Sequence, residues 1–409
     1  MKLRKIALRN IGRNRRRSIL SASAIVIAAM SMVLMFSILE GMKKDLHNNL
    51  QKYYTGEIRI RNIEYDKNEN LHPLHLRIEA YEEVLAALKS FDFTALISPR
   101  IQFPTSIYRE GANYKALGLG VDFDYETAYQ GIAGRLIEGE LPEKGKNQML
   151  ISPGLAREMG VATGDKITLL SRTMRGGTNA ITFQISGKVS FPVEALNNNF
   201  FLAPLDRVQY FLKTGEAVID ILVILNNGYN SQKAAAALNN LPLFKEKAIE
   251  AKSWDTIATT YSFIKMAESM YLLIALFFFL LGSTVIINTT MMVIYERIRE
   301  IGTLNALGME EGTIVRLFFL EAVFISFFGS LAGVLLGIAI AIPLSYIGID
   351  LSGPMQGMTF EISPRLYPMI NLRSTIFVFA YSVIIASLAS LIPSRRASKI
   401  EPIEALRSI

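Results

Sequence analysis

Four long, predominantly apolar stretches constrain this chain more than anything else in it: 18–40, 266–294, 313–347 and 373–393. A helix needs about 20 such residues to cross a ~30 Å hydrocarbon core, and each stretch supplies them. Of the 409 residues, 51% are hydrophobic and 19% charged, and the apolar excess is concentrated in these four segments. The expected fold is an α-helical membrane protein with four transmembrane helices. A large extracytoplasmic α+β domain is inserted between helices 1 and 2.

Orientation follows from the cations. Lys2, Arg4, Lys5, Arg9, Arg13, Arg15, Arg16 and Arg17 precede the first span with no acidic residue among them, so segment 1–17 reads as a basic cytoplasmic helix. Four spans return the C-terminus to the same side, where Arg395, Arg396 and Lys399 agree with that placement. The net charge of +7 is therefore mainly a topology signal. No nucleic-acid partner is expected, because the basic cluster lacks interleaved aromatics and abuts a membrane helix.

The first span is longer than the roughly 7–15 apolar residues of a signal peptide, and Leu39-Glu-Gly-Met-Lys-Lys44 is a poor cleavage site. An uncleaved anchor is expected. With no cysteine, the chain has no disulfide, no lipobox acylation site, no thiolate metal site and no cysteine nucleophile.

Segment 41–265 has soluble-domain composition, with strand-like runs at 57–61, 95–98, 114–121, 166–170, 181–185 and 219–224. Helical patterns alternate with them. Within 79–91, Ala80, Val84, Leu85 and Leu88 share one stripe. Ser152, Pro153 and Gly160 read as N-cap, first-turn proline and glycine stop, and 205–212 and 232–241 read as further helices. A β-rich subdomain at 110–200, inserted between flanking pieces that pair with each other, is the expected subdivision.

Segment 295–312 joins spans two and three. Ile298, Ile301, Leu304 and Leu307 form an apolar ridge at helical spacing, and Gly308 is a natural stop. The ridge suits either a connector resting on headgroups or a docking helix for a cytoplasmic partner. The tail 394–409 is basic and amphipathic, with Ile400, Ile403, Ala405 and Leu406 at helical spacing.

Three elements carry a family resemblance. Glu296-Arg297-Ile-Arg299-Glu300-Ile301-Gly302-Thr-Leu304-Asn-Ala-Leu307-Gly308 resembles the E(R)xREIGxLRAxG element of the MacB/FtsX-type ABC-transporter permeases, with Asn305 in place of the usual basic residue. The tail, with Arg395, Arg396, Pro402, Ile403, Glu404, Ala405, Leu406 and Arg407, resembles the closing PxRRAxxxxPIEALR of that family. Ala7-Leu-Arg-Asn-Ile-Gly-Arg-Asn-Arg-Arg16 is similar to its N-terminal helix, and Gly139, 151–156 and 160–165 are similar to its outer domain.

The resemblance implies that 295–312 is the coupling helix that touches a cytoplasmic ABC ATPase dimer. It implies a bacterial inner-membrane location, with both termini cytoplasmic and the large domain periplasmic. Four spans with one large outer domain are similar to MacB-type exporters and to the LolC/LolE lipoprotein-releasing permeases, and the expected separate ATPase and the length favour the latter. The sequence contains no G-x-x-x-x-G-K-[ST] loop, so ATP and Mg are expected in a separate ATPase and no cofactor in this chain.

The function implied is extraction of lipoproteins from the outer leaflet of the inner membrane and delivery to a periplasmic carrier by mechanotransmission, driven by ATP hydrolysis in the separate ATPase subunit. The alternative is a MacB-like permease for a peptide, drug or toxin, working as a homodimer. A second copy or a related permease, membrane lipid, the lipoprotein cargo and the carrier complete the expected partners. Met32, Val33, Met35 and Phe36, with Tyr271, Leu272, Ala275, Leu276 and Phe279, are the candidate lipid or substrate cavity, against the plain reading of lipid-facing or packing residues.

Gly329, Gly333 and Gly337, and likewise Ser382, Ala386 and Ser390, recur every four residues and suit close packing within the chain. Glu321 falls about one turn inside span three. His72 and His75 lack a ligand cluster, no metal site is expected, and no catalytic residue stands out. A membrane-anchored enzyme and a sensor are the other classes weighed.

Overall fold

The computed structural model describes residues 3, 6, 7, 9, 15–109, 111–295, 298–351 and 363–398. The chain divides into two compact units. One comprises Met1–Lys44, Met266–Leu351 and Arg365–Ile409, and the other Asp45–Lys265 with Ser352–Pro364.

Five helices carry the first unit: α1 (Arg15–Asn49), α2 (Ala258–Tyr295), α3 (Ile298–Ala306), α4 (Glu311–Ile347) and α5 (Leu372–Ser398). Among the described residues three helical stretches are long and apolar enough to cross a membrane: Ala22–Thr55, Glu311–Ile347 and Leu372–Leu391. The fourth expected span lies in α2, a 38-residue helix.

The glycines of α4 face α1. A Cβ on Gly333 would stand 2.5 Å from the Val26 carbonyl oxygen and 2.9 Å from the Ala29 Cβ. Only a residue without a side chain lets the two backbones approach this closely. Gly329 meets Ala22 and Ile25 in the same way, and Gly337 meets Met30 and Val33. The expected intramolecular packing is therefore observed. On α5, Ser382, Ala386 and Ser390 are all buried, and Ala386 packs with Ile25, Ala28 and Ile325.

In the second unit the strands are β1 (Ile58–Asn62), β2 (Ile78–Glu79), β3 (Thr94–Arg109), β4 (Ala112–Val121), β5 (Leu136–Gly139) and β6 (Gln148–Ile151). They continue as β7 (Lys166–Arg172), β8 (Thr178–Val189), β9 (Phe200–Pro204), β10 (Ala217–Val218), β11 (Asp220–Leu225) and β12 (Ile249–Ser253). The main sheet runs β12-β1-β11-β3-β4-β9-β6-β8-β5. Because β7 pairs with both β3 and β8, strands β3, β4, β9, β6, β8 and β7 close into a ring. The β4–β9 and β6–β8 contacts are parallel and the other four antiparallel.

Closure removes the exposed edges that an open sheet would present. Along β8, Ile181, Phe183 and Ile185 are buried while their neighbours are not, the period-2 pattern of a one-sided strand. The aromatic centre of the core is Phe103, with Phe201 and Phe211 each 6.0 Å away edge-on.

Segment 110–200 supplies β4 to β8, but it is not closed by itself: the ring also takes β9 and the second half of β3. Strand β3 is 16 residues long and belongs to both lobes, pairing with β11 through Thr94–Arg100 and with β4 through Arg100–Arg109. The predicted bounds, 110 and 200, fall at the β3–β4 turn and at the first residue of β9, so two strands of the ring lie outside the segment.

Local signals read from sequence recur here. Of the predicted stripe, Val84, Leu85 and Leu88 are buried on the helix Tyr81–Lys89, whereas Ala80 precedes the helix at φ 44° and is exposed, because the left-handed backbone there starts the helix one residue later. The helix Pro153–Met159 starts on its proline and stops at Gly160, φ 62°. Ser152 stands at the N-cap position, yet its hydroxyl accepts from the Phe200 N–H at 3.3 Å and so tethers β9 instead of capping the helix.

Candidate coupling site

The connector between the second and third expected spans forms helix α3, and Gly308 (φ 85°) ends it in the left-handed region that glycine adopts without strain. The predicted ridge does not act as one face. Leu304 packs with Met309 against the buried Ile314 and Phe318 of α4, whereas Leu307 is 83% exposed. Gly302 is buried, Glu300 half-buried and Arg299 exposed. Glu296 and Arg297 lie outside the described residues. Ile301 is placed on the helix without a described side chain. In the tail, Arg395 is exposed at the end of α5, Arg396 is described only as part of that helix, and 402–407 lie outside the described residues.

The predicted cavity set separates. Met32 and Val33 are 3% and 2% exposed and pack against Val334 and Val378 within the first unit. The reason is the glycine seam on α4, which draws that face of α1 inward. Met35 and Phe36 are half-buried. On α2, Leu272 and Leu276 are 71% and 53% exposed, Tyr271 is half-buried and Ala275 buried. The Phe279 side chain is not described. Glu321 is buried within α4.

Sequence inspection missed the polar anchors of the second unit. Beyond Asn49 the first helix continues as a π-helix, Leu50–Thr55, and its Tyr53 carbonyl accepts from Arg100 Nη1 at 3.1 Å. Arg100 Nη2 donates to Glu126 Oε1 at 2.7 Å and Nε to the Ser98 hydroxyl at 2.8 Å. Ser98 in turn donates to the other carboxylate oxygen of Glu126. Arg100 and Glu126 are 3% and 0% exposed. The guanidinium stands 5.0 Å from the centre of the Tyr129 ring, whose hydroxyl is pushed well above its ordinary pKa by burial.

A second network clamps the 3-10 helix Tyr65–Leu71 to the sheet. Arg59 reaches Asp66 (3.0 Å) and Glu69 (3.1 Å), Arg61 reaches Glu69 (2.6 Å) and Asp220, and Lys252 reaches Asp66 (2.8 Å). Burial would raise the Asp66 carboxyl, but Arg59, Lys252 and Arg61 hold it below the ordinary 3.8. Burial would lower Lys252, but Asp66 and Glu250 hold it above 10.5. Nearby, His47 meets Trp254 edge-on at 4.1 Å, and Asp45 accepts from the Ser363 N–H (2.7 Å) and hydroxyl (2.9 Å).

A family model for the MacB-like periplasmic core domain matches residues 18–241, more than half of the chain, and one for the FtsX-like permease C-terminal region matches 272–402. The chain belongs to the MacB/FtsX-type family of ABC-transporter permeases, and its α+β unit is the large extracytoplasmic domain of that family.

Among its relatives, the lipoprotein-releasing system transmembrane protein LolC of Neisseria meningitidis serogroup B is 22% identical over 277 residues, 64% of this chain and 65% of LolC. An ABC transporter permease of Methanocaldococcus jannaschii is 21% identical over 98% of this chain and 96% of the relative. The macrolide export ATP-binding/permease protein MacB of Vibrio parahaemolyticus is 23% identical over 98% of this chain, which spans 59% of MacB. Among solved structures, the periplasmic region of MacB from Actinobacillus actinomycetemcomitans aligns with a TM-score of 0.38 and 16% identity, over 53% of this chain and 97% of that one.

Proposed function

We propose that this chain is the permease of an ABC transporter in the bacterial inner membrane. On this reading α2 carries span two, both termini are cytoplasmic, and the α+β unit stands in the periplasm. The basic segment 1–17 and the cations after span four support that orientation. ATP and Mg bind outside these 409 residues, in an ATPase dimer whose groove receives α3. Two permeases, copies or relatives, share that dimer.

The observation that carries the docking claim is Leu307. A leucine 83% exposed at the end of a short cytoplasmic helix, just before a left-handed glycine, is an anchor awaiting an apolar pocket. Glu296 to Gly308 and the tail residues Arg395 to Arg407 are the proposed ATPase contacts.

The cargo proposed is a lipoprotein, extracted from the outer leaflet and passed to a periplasmic carrier. Each buried CH₂ of an acyl chain contributes about 0.8 kcal/mol, so an extractor must offer the anchor a continuous apolar surface. Met32, Val33, Met35 and Phe36 on α1, with Tyr271, Leu272, Ala275, Leu276 and Phe279 on α2, are the residues proposed to supply it, and of these Leu272 and Leu276 are exposed. The match to LolC supports this cargo. MacB-like export by a homodimer is the second reading, favoured by MacB relatives that match 98% of the chain against 64% for LolC. Mass spectrometry of lipids and peptides bound to the purified complex separates the two. Triacylated peptides support extraction, and their absence from a homodimeric ATPase complex supports export.

A further inference from the structure

We propose that Arg100 is the positioning residue through which a displacement of the first helix reaches both lobes of the extracytoplasmic domain at once. This rests on the proposed function and adds to it that ATP-driven motion travels along that helix.

Three observations converge on this side chain. Its Nη1 donates to the carbonyl of Tyr53, in the final turn of the helical stretch Ala22–Thr55. Carbonyls at a helix C-terminus have no partner within the helix, and a cation there is held by both hydrogen bond and dipole. Arg100 also sits where the long strand changes partners, opposite Asp220 of β11 on one side and Val121 of β4 on the other. Finally, Nη2 and Nε grip Glu126 and Ser98, so the same planar group ties the helix Phe123–Gln130 to the joint.

The guanidinium fork makes all three contacts without rotating, and burial keeps water from substituting for any of them. Gly56 follows at φ 66°, where a Cβ would press on Ile58 and Val223 backbone, so the chain enters β1 by a fixed turn. The joint therefore has little slack in the one place where helix, sheet and ring meet.

Hydrogen–deuterium exchange on the full-length chain in its reconstituted ATPase complex, with and without ATP and vanadate, tests this. In the wild type, nucleotide changes exchange in 45–57 and in 94–130. In the R100M/E126Q double variant, which removes both charges together, the change in 45–57 persists and that in 94–130 is lost, with unliganded exchange otherwise as in wild type. R100K keeps a charge beside Glu126 but gives up the fork, and it shows the same loss should the double variant fail to fold. A response in 94–130 equal to wild type in either variant overturns the proposal. Loss of protection throughout the domain without nucleotide assigns Arg100 a purely structural role and also overturns it. A wild-type complex with no response in 45–57 contradicts the transporter reading itself.

Discussion

Leu304, in α3, and Leu307, one residue past its end, serve opposite purposes: Leu304 packs against Ile314 and Phe318, while Leu307 is 83% exposed. L307D is therefore expected to abolish ATPase association while leaving thermal stability within about 0.5 kcal/mol of wild type, as for other surface substitutions. L304D buries a carboxylate against α4 and lowers stability by several kcal/mol. Co-purification with differential scanning fluorimetry on both variants checks this.

The Arg100–Glu126 pair makes a prediction about stability apart from transmission. Breaking a buried ion pair by removing one partner leaves an uncompensated charge and costs about 3–5 kcal/mol. R100M alone is expected to lose that much, and R100M/E126Q clearly less, in thermal unfolding of the full-length protein. Additive losses would mean that the two charges do not interact.

At the helix seam, Gly333→Ala places a methyl 2.5 Å from the Val26 carbonyl oxygen. The backbones must separate, and a cost of about 1–3 kcal/mol is expected, as for other overpacked cores. Gly312→Ala, where a Cβ meets nothing within 4 Å, is the control and is expected to be neutral. Unfolding in detergent measures both.

The clamp on the 3-10 helix sets a pH dependence. Asp66 has a folded-state pKa below its ordinary 3.8, so its contribution is full above 3.8 and is lost as pH falls through the folded value. Lys252 lies above its ordinary 10.5, so its contribution is full below 10.5 and fades as pH rises through the folded value. D66N is expected to flatten the acid limb of stability against pH. An unchanged acid limb would remove Asp66 from the account.

Much of this architecture was legible in the residues. Apolar runs located three helices long and apolar enough to cross a membrane, and helical spacing placed Val84, Leu85 and Leu88 on a buried face, because local period and burial agree there. The glycine repeat foretold close packing but not which residues of α1 it would bury: Met32 and Val33 lie against Val334 and Val378. Ring closure was invisible, since pairing of β3 with β7 joins residues about 60 positions apart and period alone carries no partner information. The Arg100 joint was missed for the same reason: Tyr53, Arg100 and Glu126 carry no motif, and only the fold assembles them.

The central claim is that this permease works with an ATPase. Affinity purification of the tagged full-length chain from its native membrane, with mass spectrometry of every stoichiometric partner, tests it most directly. The account predicts an ABC ATPase subunit, retained by wild type and lost with L307D, together with triacylated peptides. A chain that purifies from that membrane with no ATPase bound would contradict it.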